Sequence, residues 1–477
     1  MVTTIENEIN DIHNAVRMSK YNFIVNDHEG NLILYNFLKG LSSLTKIIKS
    51  DVDRFSKMFL NDSIIHASYC GKYVEEVKKL LESGILVCAD ADESVLYDAK
   101  YYEEVYDNRL VLIVLPTGKC NLNCSYCLES EQSFSRNRMT IEAQNALLKF
   151  IQKNIKNHNE LHVSWFGGEP LLETPMIKYL SENIIKICKA HLIPYSAEIT
   201  TNGYLLDNDT FDMLYKQKVY NYMITLDGFK EQHDKLRCTR NGMGTYDAIL
   251  SKLLWIRDNK QYRFAHINIR INITRAVLNV LDEFIYYIDS LFSNDPRFTF
   301  MFIPVKNYST IKPTDETLFI SDEELRIRLH NNTVYTKKFY PEGLKTYLID
   351  PGQGCVSSRK NSYTITPDLK VYKCCAHYDM RDNNLGYIDL NGNLTINNSL
   401  HSKWYLINEF IKRSLSSCRD CYYMPVCTNN GKNCPFQYIN KPHGIISCPL
   451  KDDQFIKTLK ETILYASNKY SCNTIAF

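Results

Sequence analysis

Leu110-Val111-Leu112-Ile113-Val114-Leu115-Pro116-Thr117-Gly118-Lys119-Cys120-Asn121-Leu122-Asn123-Cys124-Ser125-Tyr126-Cys127 joins an unbroken aliphatic run to three closely spaced cysteines. An aliphatic run of this length bounded by Pro and Gly reads as a buried strand. The cysteines then fall in the loop that leaves the strand. Three thiolates in one short loop can ligate three irons of a cubane [4Fe–4S] cluster and leave the fourth iron open. An open iron is what a small chelating cofactor needs. The same thiols could instead belong to a zinc site, which would need a fourth ligand and more usually shows CxxC pairs.

Downstream, one unit recurs: a short apolar strand, a loop containing Gly or Asn, then an amphipathic helix. The predicted strands are Leu110–Leu115, Leu161–Trp165, Ser196–Thr200, Asn221–Leu226, His266–Ile273 and Phe298–Val305. Predicted helices include Ile141–Ile155, Met176–Lys189, Tyr246–Arg257 and Ala276–Leu291. Strands alternating with helices specify a parallel βα sheet, here about six units of a barrel. The polar, motif-like residues sit just past the strands, at the rim where βα barrels place chemistry.

Upstream, Lys20–Val25 and Asn31–Phe37 flank the turn Asn26-Asp27-His28-Glu29-Gly30, a hairpin signal. Helical patterning follows over Asp51–Leu60 and Val74–Ser83, Gly84 stops the helix, and Ile85–Cys88 reads as a short strand. A hairpin, helices and a short strand suggest a small winged-helix-like module.

The 477 residues carry a net charge of +2, without the strongly basic balance of a protein held on nucleic acid by phosphate contacts. The polar, acidic start Met1–Asn10 has no apolar signal-peptide core, and no apolar run is long enough for a membrane span. A cytoplasmic location is the default expectation. Nine of the sixteen cysteines lie beyond residue 350, in a region with little periodicity. Clustering of this kind in a reducing compartment reads as metal ligation, and bound clusters could hold such a region together.

The CxxxCxxC spacing of Cys120, Cys124 and Cys127, with an aromatic residue before the last, resembles the radical SAM superfamily, whose members bind the methionyl amine and carboxylate of S-adenosylmethionine (SAM) at the open iron. Trp165-Phe166-Gly167-Gly168-Glu169-Pro170 resembles the superfamily's GGEP motif. Its glycines would allow close backbone approach, and Glu169 would accept from the methionyl ammonium. Thr201-Asn202-Gly203 would offer short polar groups to ribose or carboxylate; as a bare tripeptide it is equally a capped turn. Thr225-Leu226-Asp227-Gly228 with His233-Asp234 and Arg237 resembles an LDG…HDxxR segment, in which Arg237 would hold the SAM carboxylate.

Cys418, Cys421, Cys427, Cys434 and Cys448, with Cys355 and Cys374 upstream, resemble the SPASM extension of radical SAM enzymes, which carries two auxiliary [4Fe–4S] clusters. The resemblance would assign Cys418, Cys421, Cys427 and Cys448 to one cluster and Cys355, Cys374 and Cys434 to the other. Leu369 stands where the family usually has Gly, and six residues rather than three separate Cys427 from Cys434. No cysteine follows Cys355 closely, so one auxiliary cluster would be open or borrow Cys375. A structural zinc site is the other reading of these cysteines.

The expected architecture is thus α/β: a winged-helix-like module (1–105) resembling the leader-recognition domain of ribosomal peptide maturases, a partial (βα)6 barrel (106–310), a linker (311–350) and a Cys-rich SPASM domain (351–477). The resemblance implies an enzyme that cleaves SAM and modifies a ribosomal precursor peptide bearing a leader, with a flavodoxin- or ferredoxin-type electron donor. A thioether crosslink of the sactipeptide type, as in bacteriocin biosynthesis, is the expected product. Formylglycine formation on a sulfatase is the alternative, and a non-catalytic metal-binding scaffold is the reading from another class.

Overall fold

The computed structural model describes residues 15–61, 64–66, 73–127, 137–305, 318–335, 355–378, 380, 382–407, 418, 420–427, 435, 439, 448–451 and 453–477. The expectations for Met1–Asn10 and Cys434, and most of the linker expected at 311–350, fall outside them. The chain divides into two compact units, Met1–Asp107 with Glu342–Arg359 and Tyr405–Phe477, and Asn108–Pro341 with Lys360–Trp404. The C-terminal segment expected as one domain therefore contributes to both units.

The first unit carries strands β1 (Ala15–Met18), β2 (Asn22–Asn26), β3 (Leu32–Asn36), β4 (Thr45–Ile47), β5 (Ile65–His66) and β6 (Leu86–Cys88). β1 pairs antiparallel with both β5 and β6. The expected hairpin is β2 on β3, from Asn22 opposite Asn36 to Asn26 opposite Leu32. Its turn is closed by Asp27, whose Oδ1 accepts from the backbone of Glu29 and Asn31, both at 2.9 Å. Gly30 supplies the left-handed residue, with φ of +86°. β4 adds to β3, and the C-terminal strand Asn473–Ile475 adds in parallel to β4. Leu34, Ile47, Phe55, Phe59, Leu80, Ile85 and Ile475 form the core beneath. In the same unit Tyr21, Tyr97 and Tyr101 pack with Met424, and the half-buried Cys418 and Cys421 lie against them.

The second unit is built on one ten-stranded mixed sheet. β7 (Arg109–Val114), β8 (Glu160–Trp165), β9 (Tyr195–Thr201), β10 (Val219–Thr225), β11 (His266–Ile273) and β12 (Phe298–Pro304) run parallel in sequence order. The six strands expected from the aliphatic runs are these, each within about two residues at its ends. Helices Ile141–Asn154, Thr174–Ala190 and Tyr246–Asp258 cover them as expected. Asn208–Lys216 and Lys230–Leu236 are additional helices, and the single helix expected over 276–291 is two, broken at Val280 (φ −112°, ψ 12°).

The βα run does not close on itself. The free edge of β7 is taken in parallel by β13 (Ser362–Ile365), and β14 (Lys370–Tyr372), β15 (Asn384–Ile388) and β16 (Leu394–Ile396) extend the sheet antiparallel. The β13–β14 turn, Thr366-Pro367-Asp368-Leu369, holds Leu369 at φ +62°. A left-handed residue is required there, which explains why a Gly is the ordinary choice at that position. Fixing the Leu369 backbone are its N–H on the Thr366 carbonyl at 2.9 Å and the Thr366 hydroxyl on Asp368 Oδ1 at 2.6 Å.

Candidate functional site

The cysteine loop leaves the C-terminal end of β7 and is clamped from two sides. On one side the turn after β8 lies flat against it: Gly168 N–H donates to Thr117 O (3.2 Å) and Glu169 N–H to Lys119 O (2.8 Å). Gly167 sits at φ +109°, and a Cβ on Gly168 would stand 2.4 Å from the Lys119 carbonyl oxygen. These glycines let two backbones touch, so their first partner is the cysteine loop itself. On the other side segment 236–240 docks: Asn123 N–H donates to Cys238 O (2.9 Å), Ser125 N–H to Leu236 O (3.0 Å), and Arg240 Nε to Cys120 O (2.7 Å).

Glu169 is fully buried, and three donors hold its carboxylate: Leu171 N–H (3.0 Å), Thr201 Oγ1 (2.7 Å) and Asn202 N–H (2.8 Å). Burial pushes its carboxyl upward while these bonds pull the other way. Thr201 and Asn202, at the end of β9, therefore tie β9 to the turn after β8. Asn202 Nδ2 also reaches Asn121 Oδ1 at 2.8 Å, inside the cysteine loop.

A second network stands at the ends of β10 and β11. Tyr126 donates its hydroxyl to Asp227 Oδ2 in a very short bond and accepts from Arg237 Nη1 (2.8 Å) and Asn272 Nδ2 (3.1 Å). Asp227 Oδ1 accepts from Asn272 N–H at 2.6 Å, and Arg237 stands 3.9 Å from Asp227. Arg237 is buried, and its Nε has no hydrogen-bond partner, leaving one donor of a buried guanidinium unspent. Thr225 closes β10 beside this network and is buried. Sequence reasoning did not single out Asn121 or Asn272; Tyr126 was visible as the aromatic before the last cysteine, but its partners lie over a hundred residues away.

The thiols of Cys120 and Cys124 are pushed up to about 12 and about 11, chiefly by burial; Arg237 opposes this at Cys124. Neighbouring cysteines of the triplet add to both shifts, so the three groups lie within electrostatic reach of one another. Among the described residues no three His, Cys, Asp or Glu side chains stand gathered as a preformed metal site. The donor set nonetheless suits a cluster: soft thiols on a loop fixed through its backbone, beside an unspent guanidinium N–H.

Of the C-terminal cysteines, Cys418, Cys421 and Cys448 belong to the first unit, where burial raises the Cys421 thiol and Cys448 and Cys418 add to the shift. Cys427 follows on the turn Met424–Val426 of that unit. Cys355 is placed in the first unit, its thiol 3.0 Å from the Ser357 hydroxyl. Cys374 follows β14 in the second unit, its N–H on Asn383 Oδ1 at 2.7 Å, with Cys375 beside it.

Behind the site, His233 Nδ1 accepts from Asp227 N–H at 3.0 Å, which leaves Nε2 to donate to Thr245 Oγ1 at 3.1 Å. Burial and the Arg237 charge push this imidazole down to about 3, and burial with Lys373 pushes His401 down to about 4. Both stay neutral when folded but take a proton near 6.5 when unfolded. Stability from them is complete above pH 6.5 and is lost on acidification toward pH 4, by up to about 1.4 kcal/mol per pH unit for each. The anaerobic urea midpoint should be level from pH 8 to 7 and fall below 6.5, less steeply in His401→Asn; a level midpoint down to pH 4.5 would contradict the assignment.

Residues 114–273 match the model of the radical SAM superfamily, and this part of the chain is a radical SAM domain. Enzymes of this superfamily use a [4Fe–4S] cluster and SAM. A cysteine-type anaerobic sulfatase-maturating enzyme of Clostridium novyi is 25% identical over 339 residues, covering 66% of this chain and 86% of that enzyme. The radical SAM cyclopropyl synthase TigE of Paramaledivibacter caminithermalis is 27% identical over 274 residues, 51% of this chain and 55% of that protein. In fold, the chain resembles native anSMEcpe with bound AdoMet and Cp18Cys peptide, with TM-score 0.55 and 19% identity over 76% of this chain and 98% of that one. No helix among the described residues is long and apolar enough to cross a membrane.

Proposed function

We propose that this enzyme is a maturase of a ribosomal precursor peptide, with a Cys-sulfur to α-carbon thioether as its product. Cys120, Cys124 and Cys127 would hold the cluster, leaving an open position for the amine and carboxylate of SAM. A bound cluster would supply the single electron for reductive cleavage of SAM to methionine and a 5′-deoxyadenosyl radical, the species that would take a hydrogen atom from the target C–H bond. Glu169, Thr201 and Asn202 fix the loop edge nearest Cys120. Gly167 and Gly168 allow that edge to close. Tyr126, Asp227 and Asn272 hold Arg237 with one N–H free for the SAM carboxylate. Cys418, Cys421, Cys427 and Cys448 would serve one auxiliary cluster and Cys355, Cys374 and Cys434 a second, and an auxiliary cluster would take up the electron released when the thiol loses its proton and the C–S bond closes. A flavodoxin- or ferredoxin-type protein supplies electrons, and the setting is the cytoplasm.

One observation carries the peptide reading: the chain exceeds the sulfatase-maturase fold, which covers 76% of it, and its first unit has a sheet suited to receiving an extended peptide through backbone hydrogen bonds. The module at 1–105 is accordingly the leader-binding element. The matched relatives favour the second reading, formylglycine formation on a sulfatase. Mass spectrometry of a neighbouring encoded Cys-rich peptide after co-expression separates them. Loss of two hydrogens per link supports the crosslink, and removal of residues 1–100 abolishes it. An unchanged peptide mass, together with conversion of a sulfatase peptide by the shortened chain, would transfer the assignment to sulfatase maturation.

A further inference from the structure

One edge of β4 is covered by the chain's own segment 473–475. Asn473, Thr474 and Ile475 pair in parallel with Thr45, Lys46 and Ile47, and Asn473 N–H donates to Leu44 O at 3.0 Å. Two side chains anchor this segment. Ile475 is 1% exposed in the core beneath the sheet. Phe477 lies against Phe55, Phe59 and Tyr73, with ring centroids 5.8, 5.8 and 5.6 Å away. Arg54 donates to the Phe477 carbonyl oxygen and stands over the Tyr73 ring. Ile475 is buried and Phe477 half-buried in the groove, two residues apart on one face, with the exposed Ala476 between them and Asn473 and Thr474 also exposed.

We propose that residues 473–477 are a tethered occupant of a peptide-accepting groove formed by β4, Phe55, Phe59 and Tyr73, and that a substrate segment of the pattern aliphatic-x-aromatic displaces them. The substrate part rests on the peptide-maturase reading above. Three observations favour displacement over a permanent seam. The strand has three residues, its pairing is parallel, and two of its side chains are in water, so little holds it beyond the two anchors. The groove also presents complementary chemistry at each step: backbone groups of β4, an aliphatic seat, an aromatic box and a guanidinium aimed at a carbonyl. Because the occupant is tethered a few residues beyond the helix Asp453–Lys469, it competes at high effective concentration. A free peptide must then bind more tightly than the bare groove alone would demand, which selects for a well-matched leader.

The test uses the reconstituted full chain, a variant lacking 473–477, and a fluorescent acetyl-Asn-Thr-Ile-Ala-Phe amide probe read by anisotropy. The shortened chain should bind the probe at least about tenfold more tightly than the full chain, and Arg54→Ala in the shortened chain should weaken it. Where the shortened chain does not fold, Phe477→Ala in the full chain serves: it should lower KM for the precursor several-fold with kcat unchanged. Equal probe binding by both folded chains, or an unchanged precursor KM in Phe477→Ala, would overturn the proposal and leave the maturase reading intact. Probe binding by the shortened chain with no modification of any precursor would retire the maturase reading and leave the groove standing.

Discussion

Cys124→Ala should remove one cluster's share of the iron and of the broad absorbance near ~400 nm after anaerobic reconstitution, leaving that of the auxiliary clusters, and lower 5′-deoxyadenosine formation from SAM and dithionite by ~10³-fold or more. The reason is local. Three thiols are the whole protein contribution to the proposed cluster, and Cys124 sits at the centre of a loop clamped on both sides. With two thiolates no site for three irons remains. Cys188→Ala is the control: that thiol is buried in the helix Thr174–Ala190, so its loss costs about 1 kcal/mol of stability and leaves the absorbance in place. Full wild-type iron content and SAM cleavage in Cys124→Ala, or loss of both in Cys188→Ala, would mean the SAM-cleaving iron sits elsewhere.

Gly168→Ala should have the next largest effect, lowering SAM cleavage by about 10- to 100-fold with reduced iron content. The added methyl would meet the backbone carbonyl oxygens of Lys119 at 2.4 Å and Gly118 at 2.5 Å, neither of which can rotate away as a side chain would. The turn after β8 must then lift off the cysteine loop, breaking the Glu169 N–H to Lys119 O bond and loosening the Glu169 contacts to Thr201 and Asn202. Separation of the two loops should cost about 1–3 kcal/mol. Wild-type iron content and cleavage rate in this variant would show that the close approach is not needed for the reaction.

Much of the second unit is legible residue by residue. The run Leu110–Leu115 is buried on both faces in a parallel sheet and so is apolar without interruption, whereas His266–Ile273 alternates Ile with His, Asn and Arg at the period of a strand; both patterns are hard to mistake. The break at Val280 is not legible, since the apolar positions continue through it and no Gly or Pro marks it. Strands β13 to β16 are short, and their partner β7 lies some 250 residues earlier, so no local pattern announces that they extend the barrel sheet.

At the site, the cysteine spacing and the Gly-Gly-Glu-Pro turn determined by themselves that a three-thiol loop would stand at the rim of a βα sheet, because strand period and loop chemistry are local properties. Tertiary structure alone decided what the polar residues touch. It places Glu169 with Thr201 and Asn202, Arg237 with Tyr126 and Asp227, and the C-terminal Ile475 and Phe477 on the edge of β4. Those pairings join positions far apart in the chain, and sheet register, loop approach and burial select them from many chemically equivalent partners.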